Sequence, residues 1–223
     1  MIKAVIFDMD GLLINSEPVW FRAKKEFLGE RNIPWTWENQ KNSMGVSTQA
    51  WVDYIYNLAQ KKISKEEILY GVTGRMKLYY SNGEIDLMPG ANEALNFAKN
   101  NFKVGLASGS FKELLYTAVR INEWEEIFEE ILSSDDIERG KPHPDVYLKV
   151  MNKLNVEPSE SVVLEDSRDG INAGIAAGAN VIAVPGKEVP VPQDVLDSAT
   201  FVIDSLVDMP NTIIKLNAGL PGE

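Results

Sequence analysis

Six short segments of the chain have the apolar character of buried β-strands, and longer segments with apolar residues at helical spacing separate them. The first strand segment, residues 4–7, is wholly apolar, as expected for a strand buried on both faces. The other five lie at 103–107, around 131–132, and at 161–164, 181–184 and 201–203. Strands that alternate with helices, among them helices at 144–154 and 171–178, indicate βαβ units. The pattern therefore predicts an α/β fold with a doubly wound parallel sheet.

Only helix signals occur between the first and second strand segments. A helix start is indicated at Ser16 or Glu17, just before Pro18, and apolar residues recur at helical spacing in residues 49–60. Ser64, with a glutamate three residues later, has the spacing of a capping box that opens a third helix. We therefore predict a core domain made of residues 1–15 and 82–223, and an α-helical cap domain of residues 16–81 inserted after the first strand.

Composition and charge exclude several classes of function. The 223 residues carry a formal net charge of −11, which argues against a nucleic-acid-binding function because that requires a basic face. The chain has no cysteine, so disulfides, thiolate catalysis and zinc–thiolate sites are excluded. Without a secretory signal pattern or an apolar run of membrane-spanning length, we expect a cytoplasmic protein with no membrane partner. His143 is the single histidine, so acid–base catalysis must rest on carboxylates.

Residues capable of chemistry stand at or just beyond the carboxyl ends of the predicted strands. They are Asp8, Asp10, Ser108, Lys141, Glu165 and Asp166. The carboxyl ends of parallel strands share one edge of a sheet, so we expect these side chains to lie together. Two carboxylates as close as Asp8 and Asp10 require a cation between them, or one of them must hold a proton.

Each of these residues also has an ordinary structural explanation. The Asp-x-Asp-Gly sequence that begins at Asp8 is typical of a solvated acidic turn as well. Ser108 alone is more typical of a helix N-cap, and Lys141 alone is more typical of an exposed lysine. Glu165 and Asp166 alone are typical of an acidic loop. Only the combination favours a functional site.

Four short motifs follow one another along nearly the whole chain. They are Asp8-Met9-Asp10-Gly11, Ser108-Gly109-Ser110, Gly140-Lys141-Pro142-His143-Pro144-Asp145 and Leu164-Glu165-Asp166-Ser167. In these motifs the sequence resembles the haloacid dehalogenase-like phosphohydrolases, and within them the branch of β-phosphoglucomutase and small-phosphometabolite phosphatases. The resemblance implies a Rossmann-like core with a helical cap inserted between the first and second motifs.

The resemblance also implies the chemistry of the acidic residues. Asp8 would attack phosphorus and form an aspartyl phosphate, while Asp10 would protonate the leaving oxygen and then activate the hydrolytic water. One Mg²⁺ would be held by Asp8, the backbone carbonyl of Asp10 and Asp166, which form an all-oxygen ligand set. Glu165 would complete the metal site by holding a metal-bound water.

The remaining motif residues are expected to bind phosphate or to support the fold. The resemblance implies that Ser108 and the amide of Gly109 bind a phosphoryl oxygen, and that Lys141 neutralises charge in the transition state and steadies the nucleophile. His143, between two prolines and without an evident partner, is expected to be structural. Asp169 is expected to cap the helix that follows it.

Departures from the resembled branch bear on the choice of reaction. Asn15 stands where relatives usually have aspartate, which affects the electrostatics of the predicted cap hinge. Thr48, in the loop Gly45-Val46-Ser47-Thr48, stands where the mutase-like members carry arginine, and Trp20 stands where they carry histidine. A mutase must hold a second phosphate, for which a planar bidentate cation is the natural ligand. Thr48 therefore favours a phosphatase.

The sequence thus predicts a Mg²⁺-dependent phosphatase of a small phosphomonoester, such as a sugar, polyol or nucleotide-like monophosphate. The first alternative is a phosphosugar mutase of the β-phosphoglucomutase type. A second alternative is a catalytically silent binding protein, which the complete set of acids and Lys141 disfavours. We expect a monomer, because a cap that opens and closes needs free movement. Trp20, one turn beyond the hinge, is the cap aromatic expected to face the pocket.

Overall fold

The fold is built on a six-stranded parallel sheet. A computed structural model describes residues 1–44, 46–186 and 189–220. The strands are β1 Ala4–Phe7, β2 Lys103–Ser108, β3 Glu130–Ser133, β4 Ser161–Glu165, β5 Asn180–Ala183 and β6 Phe201–Val202. Their order in the sheet is β3-β2-β1-β4-β5-β6. All six predicted strand segments and their parallel pairing are therefore confirmed.

Ten α-helices occur in the described part of the chain. They are α1 Glu17–Gly29, α2 Trp37–Lys41, α3 Thr48–Leu58, α4 Lys65–Ser81, α5 Ala91–Asn101, α6 Lys112–Ile121, α7 Asp145–Leu154, α8 Arg168–Ala176, α9 Gln193–Ser198 and α10 Met209–Asn217. The short helices α2 and α9 and the C-terminal α10 have no counterpart among the predicted elements. None of the described helices combines the length and apolar composition needed to cross a membrane.

Helices cover both faces of the sheet. On one face, buried side chains of α5, α6 and α10 pack against strand residues such as Val5 and Phe7. On the other face, α7, α8 and α9 pack against residues such as Ala4 and Ile6. Every residue of β1 is fully buried between its neighbours β2 and β4. Because the strand order reverses at β1, a crevice lies at the carboxyl ends of β1 and β4, where such sheets bind ligands.

Between β1 and α5, the described elements are all helices, as the sequence predicts. Its helices α1 to α4, which we call the helical insert, share one buried apolar cluster with a face of the sheet. Within the insert, α1 and α4 approach closely, because a Cβ on Gly71 would lie 2.1 Å from the Phe27 ring. The ring of Tyr70 on α4 also meets that of Phe111 before α6, with centroids 6.4 Å apart. The division into two domains stays a prediction.

The two connections between the helical insert and the sheet run side by side. Ile14 and Leu87 form an antiparallel bridge, and the amide of Asn15 donates to the carbonyl of Asp86 at 2.8 Å. These residues lie within residues 12–16 and 81–88, the two segments that the sequence predicts as the hinge. The two connecting segments are therefore hydrogen-bonded to each other at one place. A narrow attachment of this kind is the geometry that a hinge requires.

Candidate active site

The predicted convergence of polar residues occurs at the carboxyl edge of the sheet. Asp8 directly follows β1, Ser108 is the last residue of β2, and Glu165 is the last residue of β4. Lys141 reaches the same place from the segment that precedes α7. Parallel strands side by side align their ends, so residues that are more than a hundred positions apart become neighbours.

Lys141 joins two buried carboxylates at the centre of this site. Its Nζ lies 2.5 Å from Asp8 Oδ1 and 2.5 Å from Glu165 Oε1, and it donates to the carbonyl of Ala107 at 3.1 Å. The side chains of Lys141 and Asp8 are each 8% exposed, so solvent screens these pairs weakly. Burial favours the uncharged amine, but the charges of Asp8 and Glu165 outweigh it and raise the pKa of Lys141 well above its usual value.

Both carboxylate oxygens of Glu165 are held by protein donors. Oε1 accepts from Lys141 and from the Tyr147 hydroxyl at 2.6 Å. Oε2 accepts from the amides of Asp166 and Ser167 and from the Ser167 hydroxyl at 3.0 Å. Because both of its oxygens accept hydrogen bonds, the Glu165 carboxylate is held in one position and supports Lys141. Tyr147 was not singled out from the sequence, where it reads as one apolar position of α7.

Three carboxylates lie close enough together to hold a metal ion. Asp8, Glu165 and Asp166 each offer an oxygen, and these oxygens all lie within 4.8 Å of one another. Burial and the nearby charges of Glu165 and Asp8 raise the pKa of Asp166 well above its usual value. Burial likewise raises the pKa of Asp8 to about 8, although Lys141 opposes the shift. Crowded acids of this kind, with Asp8 and Glu165 buried and Asp166 half-buried, fit a hard divalent cation, whose charge would offset their repulsion.

Gly11 makes room for this arrangement. Its φ is +79°, and a Cβ at this position would lie 2.1 Å from Asp166 Oδ2. Glycine is therefore required twice, by the backbone conformation and by the carboxylate that occupies the space of a side chain.

Asp10 lies outside the carboxylate cluster and is oriented by four donors. Its Oδ1 accepts from the Ser16 hydroxyl at 2.6 Å and from Trp20 Nε1 at 3.3 Å. Its Oδ2 accepts from the Ser110 hydroxyl at 2.6 Å and from that of Ser108 at 3.4 Å. Trp20 therefore faces the site, in agreement with the sequence-based expectation. The contacts of Ser16 and Ser110 with Asp10 were not foreseen, although both residues belong to segments that the sequence marked as hinge and motif.

The loop from Ser108 to Ser110 is fastened on both sides. Ser108 Oγ accepts from the amide of Ser110 at 3.0 Å, and the carbonyl of Gly109 accepts from Ser134 Oγ at 2.8 Å. Thr48, the first residue of α3, donates to the same carbonyl at 3.4 Å and so links the helical insert to this loop. The alternative that Ser108 is merely a helix N-cap is wrong, because α6 begins at Lys112 and its N-cap position is Phe111.

The helical insert closes over the site. A cavity of about 10 Å³ lies where the two parts meet, lined by Ser108, Gly109 and Lys141 from the sheet edge and by Val46 and Ser47 from the insert. That volume is enough for about one water molecule. A Cβ on Gly140 would lie 3.0 Å from Ser47 Cβ, which shows how closely the two parts approach. Gly45, part of the same loop, lies outside the described residues.

A second buried lysine lies in the helical insert. Lys24 is 2% exposed, donates to Ser43 Oγ at 2.9 Å, and is surrounded by the indole rings of Trp20, Trp35 and Trp51. Burial lowers the pKa of Lys24 to about 8, although the charges of Glu17 and Asp10 oppose the shift. The sequence analysis missed this residue, because a lysine within an amphipathic helix reads as part of its solvated face.

The other residues considered from the sequence lie apart from the carboxylates. His143 is exposed, and its amide donates to the carbonyl of Gly140. The expected capping role of Asp169 is wrong, because the Ser167 hydroxyl accepts from the Gly170 amide at 3.1 Å and α8 begins directly after Ser167. Asp169 instead accepts a hydrogen bond from the neighbouring Arg168.

Comparisons with known proteins give a consistent result. Residues 5–184 match the family model described as haloacid dehalogenase-like hydrolase. The chain is 33% identical over 178 residues to the phosphorylated carbohydrates phosphatase of Thermotoga maritima, covering 79% of this chain and 82% of that protein. It is 34% identical over 190 residues to hexitol phosphatase B of Escherichia coli, covering 84% and 85%. A crystal structure of β-phosphoglucomutase from Clostridium difficile shares the fold, with a TM-score of 0.83, 24% identity and 98% coverage of both chains.

Proposed function

Because the chain belongs to the haloacid dehalogenase-like hydrolases, we propose that it is a Mg²⁺-dependent phosphatase that hydrolyses a small phosphomonoester through an aspartyl phosphate. The observation that carries the proposal is the buried contact of Lys141 with Asp8 beside Asp166. This contact places the proposed nucleophile Asp8 next to the ammonium of Lys141 and to the proposed metal ligand Asp166. The relatives named as phosphatases of phosphorylated carbohydrates and hexitols support a sugar or polyol monophosphate as substrate.

Asp8 is the proposed nucleophile. One of its carboxylate oxygens forms a bond to phosphorus while the bond from phosphorus to the leaving oxygen breaks, which gives an aspartyl phosphate and an alcohol. A water molecule then attacks phosphorus, the bond to Asp8 breaks, and inorganic phosphate leaves. Lys141, 2.5 Å from Asp8, orients the nucleophile and offsets negative charge on the phosphoryl oxygens.

Asp10 is the proposed acid and base. It gives a proton to the leaving oxygen in the first step and takes a proton from the attacking water in the second. The hydroxyls of Ser16 and Ser110, each 2.6 Å from its carboxylate, hold it in one orientation. Since Asp10 lies apart from the carboxylate cluster, it is free to face the leaving group while Asp8 faces phosphorus.

The loop of Ser108 and Gly109 and the metal ligands hold the phosphoryl group. The Ser108 hydroxyl and the Gly109 amide are the proposed donors to a phosphoryl oxygen. Asp8 and Asp166, with the backbone carbonyl of Asp10, would hold Mg²⁺, while Glu165 would hold a metal-bound water and support this set through Lys141. When bound, the ion supplies positive charge against the phosphoryl oxygens. Closure of the helical insert, which leaves about 10 Å³ beside Ser108, would exclude bulk water during transfer.

The test is turnover of p-nitrophenyl phosphate with and without EDTA. We expect the wild type to release phosphate, EDTA to abolish the release, and added Mg²⁺ to restore it. Asp8→Asn should be inactive, because an amide is a poor nucleophile. Asp194→Asn, which changes an exposed acid on α9, serves as the matched control and should keep full activity. Turnover that survives both EDTA and Asp8→Asn would refute the assignment of the nucleophile.

A phosphosugar mutase is the alternative reaction on the same site. Here the aspartyl phosphate would pass to a second hydroxyl of a sugar instead of to water. The likeness to β-phosphoglucomutase concerns the fold alone, whereas Thr48 at the loop contact disfavours the binding of a second phosphate. Incubation with a sugar 1-phosphate and a catalytic bisphosphate separates the two reactions. Isomerisation faster than phosphate release would favour the mutase.

A further inference from the structure

The wall of the helical insert that faces Asp10 contains a charged group without a role in the proposed chemistry. Lys24 lies one helical turn beyond Trp20 on the same face of α1, and Trp20 Nε1 donates to Asp10. The Lys24 ammonium is 5.3 Å from the centroid of the Trp20 ring. Trp20 therefore contacts both the catalytic carboxylate and Lys24.

The ammonium of Lys24 has more N–H groups than it has oxygen acceptors among the described residues. It has three N–H groups, and among the described residues Ser43 Oγ is its one oxygen acceptor. The indole rings of Trp35 and Trp51, 5.6 and 5.5 Å away, surround the rest of it. Burying an ammonium is costly unless its donors are used, so a purely structural role would be served better by an apolar side chain. Donors kept available in this way can bind an oxygen of a ligand.

The charge around Lys24 determines which oxygen it can bind. The carboxylates of Glu17 and Asp10 already lie close enough to raise its pKa against the effect of burial. The arginines of the insert cannot add positive charge here, because they pair with glutamates at the surface: Arg22 with Glu84, Arg31 with Glu67, and Arg75 with Glu30. The site offers donors but no surplus of positive charge. A second phosphate or a carboxylate on the substrate would remain uncompensated there.

We propose that Lys24 is a specificity-determining residue that binds hydroxyl oxygens of an uncharged, polyhydroxylated leaving group. The inference rests on the proposed phosphatase function and names the substrate class of that same site: monophosphates of polyols or sugars with no second anionic group. The indole face of Trp20 packs against the carbon chain of the leaving group, while Lys24 donates to its hydroxyls. Aromatic walls with a few placed polar groups are the usual lining of small-molecule sites.

The test compares three substrates and four forms of the full-length protein. The substrates are a hexitol 6-phosphate with a neutral polyhydroxylated leaving group, 2-phosphoglycolate with a carboxylate, and p-nitrophenyl phosphate, which lacks hydroxyls. The proteins are the wild type, Lys24→Met, Lys24→Gln and the control Lys25→Met, which changes the exposed neighbour on the same helix. Thermal unfolding of each protein shows that it is folded.

We expect the wild type to prefer the hexitol phosphate to 2-phosphoglycolate. Lys24→Met should lower kcat/KM on the hexitol phosphate by about tenfold to a hundredfold, the usual effect of losing a hydrogen bond from a charged donor. The loss should appear mainly in KM and should be at least about tenfold smaller on p-nitrophenyl phosphate. Lys24→Gln, which keeps an N–H donor without charge, should lose less than Lys24→Met. Lys25→Met should match the wild type.

Three results would overturn the inference while leaving the phosphatase function in place. Equal losses on all three substrates would show that Lys24 is structural. A wild-type preference for 2-phosphoglycolate, or a larger loss on it in the Lys24 variants, would show that Lys24 binds an anion. If Lys24→Met does not fold, the inference is still tested by the losses in kcat/KM of Lys24→Gln and by the substrate preference of the wild type. A wild type without turnover on any substrate, p-nitrophenyl phosphate included, would overturn the phosphatase assignment and with it the inference.

Discussion

Replacement of Gly11 by alanine is the sharpest test of the carboxylate cluster. A Cβ at this position would lie 2.1 Å from Asp166 Oδ2 and 2.9 Å from Asp166 Cγ. Ordinary contact begins at 3.4 Å, so the Asp166 oxygen must move by about 1.3 Å, the difference between 3.4 and 2.1 Å. The carboxyl group can turn away from the added methyl. Such a movement changes the geometry of the cluster that Asp166 forms with Asp8 and Glu165.

The consequences for stability and for activity differ in size. Alanine at a φ of +79° costs about 1–2 kcal/mol, because its Cβ crowds the backbone in the left-handed region. This cost leaves a protein of ordinary stability folded. A displacement of about 1 Å in a catalytic group costs about a hundredfold in rate, and Mg²⁺ demands near-ideal geometry. Gly11→Ala should therefore be folded, about a hundredfold less active, and in need of a higher Mg²⁺ concentration for half-maximal activity.

The assay is an initial-rate titration with Mg²⁺ combined with thermal unfolding. Gly74→Ala is the matched control, because a Cβ on Gly74, in the middle of α4, meets nothing within 4 Å. The control should keep the wild-type Mg²⁺ dependence and should be equally stable or slightly more stable, since alanine favours the helix over glycine. A folded Gly11→Ala protein with the wild-type Mg²⁺ dependence would refute Asp166 as a metal ligand.

Two further predictions follow from the buried groups. Gly170→Ala should lower the thermal unfolding temperature as well as activity, because its Cβ would lie 1.8 Å from Glu165 Oε1. Glu165 is fully buried, so the overpacking should cost about 1–3 kcal/mol, or about 2–12 °C for a chain of this length; an unchanged melting temperature would contradict this reasoning. Urea unfolding of wild type and Lys24→Met between pH 7 and 10 tests the lowered pKa of Lys24, about 8. Above pH 8 the unfolded chain holds the Lys24 proton that the folded chain has released, so wild-type stability relative to Lys24→Met should rise with pH toward 10, and a flat difference would contradict it.

The layout of the site could be predicted because its determinants are local. A strand such as β1 is recognisable from its apolar run, and Asp8 follows it directly. The same holds for Ser108 after β2 and Glu165 at the end of β4. Once the strands are parallel, their carboxyl ends must share an edge, so no further information is needed to bring these residues together.

The helices missed by the prediction show where local signals fail. The helix α2 has five residues and α9 has six, too few to display an apolar stripe over successive turns. Asp169 was assigned as a cap from its helix-start chemistry, yet Ser167, two residues earlier, makes the capping bond. Several residues at one helix start can all serve as caps, and only the backbone conformation selects one.

The sequence by itself determined the sheet, the helical insert and the acids at the strand ends, because hydrophobic period and motif order are properties of the chain. Only the tertiary structure decided what those acids touch. It turned Ser16 and Ser110 toward Asp10, set the Tyr147 hydroxyl against Glu165, and buried Lys24 among three indole rings. An apolar stripe shows that a helix face is buried but carries no information on the surface it meets. That surface follows from the rotation and docking of each helix, which depend on the packing of all the others.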